Sequence, residues 1–391
     1  MRIQSLDAIR GFAVLGILFM NIAHHMNILT GYVPFDNALV SDSIISLVQL
    51  IFADGKFRTL FCILFGAGMA ILYENGQRQS VRVKTFLQTR LNWLFVFGLA
   101  HAVFIFGGDI LMLYAISGIM FINYLHLDNE SLFKKSRFLI ILGALLMVIV
   151  NLLTLLFGNT EPITRGSQEY TDMLSIWQDG YLIQVAVQSG IALGMLLLSF
   201  LNTLWLVLGL MGLGAWLYRT RFFSTGFGKS TQQKLLAGAI ITTLVCIALR
   251  FSLPGVDEEI SSALFGLCAI FISPLYADFL IKHANNDSRL FRALCYCGQV
   301  ALSLYLIQSI SMALLFRLLL PAVWPDFELY ITRIDLMAFA LLFTIFQIYL
   351  ARAIVKNFSH GPFEFVWRKR YRQGYIQKVS ENAHCESETA K

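Results

Sequence analysis

The chain has 391 residues, of which 57% are hydrophobic and only 14% charged, and its formal net charge is +6. That composition excludes an ordinary soluble domain, and apolar runs near ~20 residues long make the chain a polytopic membrane protein. In a soluble protein the positive balance would point to nucleic acid; here the basic residues line one side of a membrane and report orientation, so no nucleic-acid partner is expected.

Ten spanning helices are predicted, at about 11–29, 57–74, 90–107, 110–126, 137–157, 194–218, 234–252, 260–281, 296–318 and 334–355. An even number puts both termini on one side. Of the Lys and Arg residues, only Lys56, Arg58, Arg165, Arg250, Arg317 and Arg333 fall on the other side, whose loops carry Glu161, Glu169, Asp172, Asp179, Asp257, Glu258 and Glu259. The positive-inside rule then makes the termini cytoplasmic. The expected fold is all-α, a polytopic membrane helical bundle forming one domain over 1–372, with a disordered cytoplasmic tail over 373–391.

The first helix is apolar from Gly11 to Ala23, with Asp7 and Arg10 at its entrance and Asn21, His24 and His25 at its exit. Asn21 and the lack of a small-residue cleavage site separate it from a signal peptide. Asp7 and Arg10 at i, i+3 can pair, and Arg10 and Asn21 project from one face about 16 Å apart. Snorkelling by Arg10 and helix bonding by Asn21 would explain them structurally; intramembrane polar groups are equally candidates for a substrate site.

Two segments on the outer side, 30–56 and 158–193, contain apolar pieces too short to span: Ile44 to Phe52, and an amphipathic stretch from Met173 to Val187. They are expected to lie at the interface or dip into the protein, roofing a cavity. Lys56 and Arg58 enter the second helix from this side, either to bind an anionic ligand or to snorkel. Gly107-Gly108-Asp109 is a tight turn between the third and fourth helices.

His101 stands among apolar neighbours in the third helix, so it must face protein or a water-filled cavity, as a structural group or as a general base. Asp109 is an N-cap of the fourth helix or the partner of His101. Pro274 predicts a kink in the eighth helix. In the ninth, Tyr305 and Gln308 share a face, gluing helices or lining a path. Gly66, Gly68, Gly190, Gly194, Gly209, Gly212 and Gly214 mark close helix approaches. Six cysteines give no disulfide framework, and Cys295-Tyr296-Cys297 lacks the second pair of a zinc site, so no metal is expected. Phosphate-binding Gly-rich loops, a Gly-x-Ser-x-Gly elbow and a zinc-protease helix are likewise missing.

Five ordered motifs carry a family resemblance: Leu6-Asp7…Arg10-Gly11 with Asn21; Lys56-Phe57…Leu64-Phe65-Gly66-Ala67-Gly68; His101…Gly108-Asp109-Ile110-Leu111…Tyr114-Ala115; Gly298…Ala301-Leu302-Ser303…Tyr305-Leu306-Ile307-Gln308; and Gly361-Pro362…Glu364…Trp367-Arg368. Over residues 5 to about 372 the chain resembles the YeiB-like bacterial inner-membrane proteins, the domain-of-unknown-function 418 family. That resemblance implies kinship with transmembrane acyltransferases, whose first helix carries an Arg-Gly entrance and a polar residue eleven positions on. Asn21 matches the branch resembling lysosomal heparan glucosaminide acetyltransferase, although no loop histidine corresponds to that branch's own. The family's ninth-helix motif often has Arg and Asn where this chain has Gln299 and Leu304.

On this resemblance the expected activity moves an acyl group from a cytoplasmic donor, with acyl-CoA as the candidate and no bound cofactor, to an extracytoplasmic small-molecule or glycan acceptor. Asp7, Arg10, Asn21, Lys56, Tyr305 and Gln308 would bind substrate, and His101 with Asp109 would be catalytic. A transporter for a small polar or anionic solute is the alternative. The bilayer is an expected partner, and a homo-oligomer is compatible with the sequence.

Overall fold

A computed structural model of the chain describes residues 3–78, 82–157, 163–252, 258–284 and 288–389. Arg2, Glu161, Asp257 and the end of the tail lie outside them. Every regular element among the described residues is helical: α1 Gln4–Met26, α2 Val40–Phe52, α3 Lys56–Arg78, α4 Val83–Phe104, α5 Leu111–Phe121, α6 Asn129–Phe157, α7 Gln168–Gln178, α8 Tyr181–Ser199 and α9 Thr203–Arg219. There follow α10 Phe222–Thr225, α11 Lys229–Ser252, α12 Glu258–Lys282, α13 Arg289–Gln299, α14 Ala301–Leu314, α15 Leu320–Val323, α16 Phe327–Tyr330, α17 Arg333–Phe358 and α18 Pro362–Thr389.

Eight helical stretches among the described residues are long and apolar enough to cross a membrane, and α5 and α9 are shorter apolar helices. The chain is a polytopic helical bundle. Glycines set its closest packing: a Cβ on Gly66 would stand 1.9 Å from the Met211 carbonyl oxygen and one on Gly214 1.9 Å from that of Ile63, so α3 and α9 touch backbone to backbone. Gly11 and Gly298 do the same for α1 and α13, against Leu294 and Asp7. Gly190 and Gly194 have open space around them, so these two expected packing glycines serve no close approach.

The predicted span 194–218 is instead two helices. Gly180, at φ 100°, starts α8 well before 194, and Asn202 starts α9 by accepting hydrogen bonds from the Thr203 amide and hydroxyl. The predicted span 296–318 is likewise divided at Val300. Beyond the break, Glu364 of α18 accepts a 3.0 Å hydrogen bond from the Ser303 amide and another from its hydroxyl, capping α14 from outside. Pro274 lies inside α12 as expected.

The apolar piece ending at Phe52 dips into the protein: on α2 the Gln49 amide donates to the Phe19 carbonyl of α1 at 2.8 Å, while Ile44, Val48 and Phe52 face outward. On the same side α7 buries Tyr170, Leu174 and Trp177, and Trp177 Nε1 donates to the Met26 carbonyl at 3.2 Å. Residues 373–377, placed by sequence in a disordered tail, continue α18, where Tyr375 packs edge-on against Phe86, 5.5 Å between ring centres.

Candidate functional site

Within the bundle, α1, α3, α4, α5, α14 and α18 enclose a cavity of about 240 Å³. Its end on the basic side carries Arg10, Arg90, Arg368 and Glu364; Leu64, Met69 and Leu91 contribute to its walls; Tyr114 and Tyr305 stand farther in. Three guanidiniums against one carboxylate make this mouth electropositive, and the walls are apolar.

Each charged group is held by a local device. Asp7, almost fully buried, accepts from Arg10 Nη1 at 3.4 Å one helical turn away, a pairing the i, i+3 spacing allows. Gly68 leaves Arg10 its space, since a Cβ there would come within 3.3 Å of Arg10 Nη2. Arg90 lies over the Trp367 ring at 4.0 Å, and Trp367 Nε1 donates back to the Arg90 carbonyl at 3.1 Å, which docks α18 on α4. Glu364 spends its oxygens on the start of α14.

Behind Tyr305 lies the His101 and Asp109 pair. Asp109 Oδ1 is 2.8 Å from His101 Nδ1 and accepts from the Tyr305 hydroxyl at 3.3 Å, while Oδ2 accepts from the Met112 amide at 3.0 Å. The turn through Gly107 and Gly108 is what brings residues eight apart in sequence into contact. With Nδ1 turned to the carboxylate, Nε2 is the free position of a neutral imidazole; it is buried and has no hydrogen-bond partner. The Tyr305 and His101 ring centres are 5.1 Å apart.

The structure therefore joins Asp7, Arg10, His101, Asp109 and Tyr305 around or directly behind one cavity. Three other candidates stand apart. Asn21 is half-buried and lines no part of this cavity. Lys56, fully buried, donates to the carbonyls of Leu50 and, at 3.2 Å, Phe265, stapling the dipping turn rather than facing a ligand. Gln308 turns to α17, its Nε2 3.4 Å from Gln347 Oε1, while Gln347 Nε2 donates to the Leu304 carbonyl at 3.0 Å.

Two residues outside the candidate set stand at or near the site: Arg90, and His25, which the sequence marks only as a polar group at the exit of the first helix. Arg90 counted only toward orientation, yet it lines the mouth. His25 is buried with Nδ1 unpartnered, and its ring centre is 4.0 Å from that of Phe106, which is itself 6.2 Å from His101. Its neighbour Met26 ends α1, and only the period from Leu18 and Ile22 could have shown that His25 continues the buried face. Among the described residues no group of three or more His, Cys, Asp and Glu could hold a metal ion.

A second cavity, about 570 Å³, lies on the opposite side between the end of α4, α7, α8 and α14 to α16, with Arg317, Gln184, Trp177, Tyr181 and Glu328 in its lining. Glu328 is buried and accepts from Asn27 Nδ2 at 3.1 Å. Burial pushes its carboxyl up to about 7 against the opposing pull of Asn27, Gln178 and Arg165.

A helical bundle of this kind, with polar groups gathered around cavities in its interior, is a multi-pass membrane protein. Residues 217–372 match the family described as Protein of unknown function (DUF418). Over nearly full length the chain is 26% identical to the Escherichia coli (strain K12) protein designated Uncharacterized protein YeiB, covering 93% of this chain and 95% of that one. It is 25% identical to Uncharacterized protein YxaH of Bacillus subtilis (strain 168), covering 94% and 93%. These matches support a likeness to the YeiB-like DUF418 proteins. No solved structure matches the chain.

Proposed function

We propose that the protein is a membrane acyltransferase that receives an acyl donor from the cytoplasmic, basic side of a bacterial inner membrane and passes the acyl group to an acceptor reached from the other side. The observation that carries this reading is one cavity with a guanidinium-lined mouth, apolar walls and, behind Tyr305, an imidazole whose Nε2 is unpartnered. Arg10, Arg90 and Arg368 would hold the phosphates of a donor such as acyl-CoA, with Asp7 and Trp367 fixing the first two. A volume of about 240 Å³ sits below the ~300 Å³ of a typical ligand pocket and favours a short acyl group over a long lipid tail.

In the reaction the acceptor's hydroxyl or amine attacks the acyl carbonyl, and its proton passes to His101 Nε2. The bond between acyl carbon and carrier sulfur breaks, and the departing thiolate takes that proton. Asp109 holds His101 in the required tautomer and stabilises the imidazolium.

Purified protein in nanodiscs, given labelled acyl-CoA and an extract of acceptors, is expected to transfer label. General-base action is worth roughly 100- to 10,000-fold, so His101→Ala should lose activity by that factor while keeping its monodisperse elution. Full activity in His101→Ala removes His101 from the mechanism. Two cavities on opposite sides also suit a transporter; solute counterflow in proteoliposomes without any acyl transfer would establish that reading instead.

A further inference from the structure

We propose that the second cavity is the acceptor chamber and that Arg317 makes it an anion site, so the acceptor carries a carboxylate, phosphate or sulfate group. The word acceptor rests on the acyl-transfer reading above; the anion site does not. Arg317 Nη2 donates to the Ile105 carbonyl at 2.7 Å and to Gln188 Oε1 at 3.1 Å. Its Nε and Nη1 are buried without a hydrogen-bond partner, and the guanidinium carbon lies 5.0 Å from the centre of the Trp177 ring.

A half-buried arginine with two buried, unsatisfied guanidinium nitrogens is costly unless an anion completes it, and the fork of a guanidinium matches oxyanions in particular. The chamber lining supplies one carboxylate, Glu328, which is engaged by Asn27 and whose raised titration keeps much of it protonated near neutrality. The cation is therefore left for a ligand.

The backbone is also built around this position. Arg317 sits in a π-helical segment, Leu315–Leu319, between α14 and α15. Such segments are uncommon and concentrate at functional sites, because the extra residue re-aims side chains at the expense of regular hydrogen bonding. Ile105, to which Arg317 is anchored, directly precedes Phe106, whose ring adjoins both His25 and His101. An oxyanion on Arg317 would thus hold the acceptor beside the proposed base. Gln178, Gln184 and Tyr181 offer polar contacts for the rest of a hydroxylated molecule.

The test places a cysteine at Ala313, which lines the chamber one helical turn before Arg317. In nanodiscs, Ala313→Cys protein is labelled with membrane-impermeant thiosulfonates bearing a sulfonate or a trimethylammonium group. The anionic reagent is expected to react about tenfold faster or more, with the preference falling at high salt, lost in Ala313→Cys with Arg317→Gln, and kept with Arg317→Lys. Acetate and inorganic phosphate should protect the cysteine, and the stronger of the two names the anionic group. Protection that depends on anionic phospholipid in the nanodisc would identify a lipid headgroup as its source.

Equal labelling by both reagents, or a preference unchanged by Arg317→Gln, overturns the site. The protection measurement uses protein that retains Arg317, so it decides the matter even where Arg317→Gln fails to fold. Absence of acyl transfer leaves these rates unchanged, so the two proposals fail separately.

Discussion

Asp109 divides its two oxygens between the two roles that sequence could not choose between: one caps the start of α5 through the Met112 amide, the other holds His101. The identity of both groups was legible, because an imidazole and a carboxylate flanking a Gly-Gly turn stand out in apolar sequence. Their distance was not, since it depends on how the turn closes. Glu328 was not legible at all, as nothing in Pro325-Asp326-Phe327-Glu328 distinguishes the buried acid from the one two residues before it. Its surroundings give it a pH signature. The folded carboxyl is raised to about 7 from an ordinary 4.5, so between those values the folded state keeps a proton that the unfolded chain has released. Stability from this group is full below the unfolded value, falls as pH rises through the window and is gone above about 7. Thermal melting in detergent should therefore fall between pH 5 and 8 in a component that Glu328→Gln removes, leaving the variant flatter; an equal slope in both proteins would refute the assignment. The groups acting on Glu328 across this interface are Asn27, Gln178, Arg165 and Tyr170; burial pushes the Tyr170 hydroxyl up to about 12, so within this window only the Glu328 carboxyl itself loses a proton.

At the scale of elements, the long apolar runs were readable as helices because lipid demands internal hydrogen bonding over about 20 residues, a constraint that local pattern reports directly. The failures lie where the chain breaks inside an apolar run. Ser199-Phe200-Leu201-Asn202 carries one polar cap amid large apolar residues, and the break before Ala301 is capped by Glu364, 61 residues beyond the Ser303 amide it accepts from and invisible to any window. Glycine spacing worked where two helices truly meet, at Gly66 and Gly214, and failed on α8, whose glycines face open space. The α3 and α9 contact gives a clear expectation. Gly214→Leu must displace the Ile63 carbonyl, for which overpacking costs typically about 1–3 kcal/mol and here more, because backbone rather than a side-chain end is in the way. The variant should melt several degrees lower, whereas Gly194→Leu, with nothing within 4 Å, should melt as the parent does. Matching losses in both would mean that α3 and α9 are not packed as described.

For the whole molecule the two cavities define a partition. The α14 helix contributes Tyr305 to one and Ile310 to the other, five residues or about 7.5 Å along its axis. The turn after α4 repeats this: Ile105 lines the second cavity and Ile110 the first. Between them stands Phe106, buried, with His25 and His101 against its ring. A transferase needs only an acyl carbonyl and an attacking atom to meet across such a wall, so the wall can stay shut to solutes. A transporter must open it. Phe106→Ala tests which holds: truncating a buried phenylalanine costs roughly 3–5 kcal/mol and leaves a void connecting the two chambers. In proteoliposomes the parent protein is expected to hold a small-anion gradient and Phe106→Ala to leak it, with both proteins of the same oligomeric state by elution. A parent that already dissipates the gradient, in a manner saturable by one solute, would show that the partition opens by design and would turn the same polar groups into the binding site of a carrier.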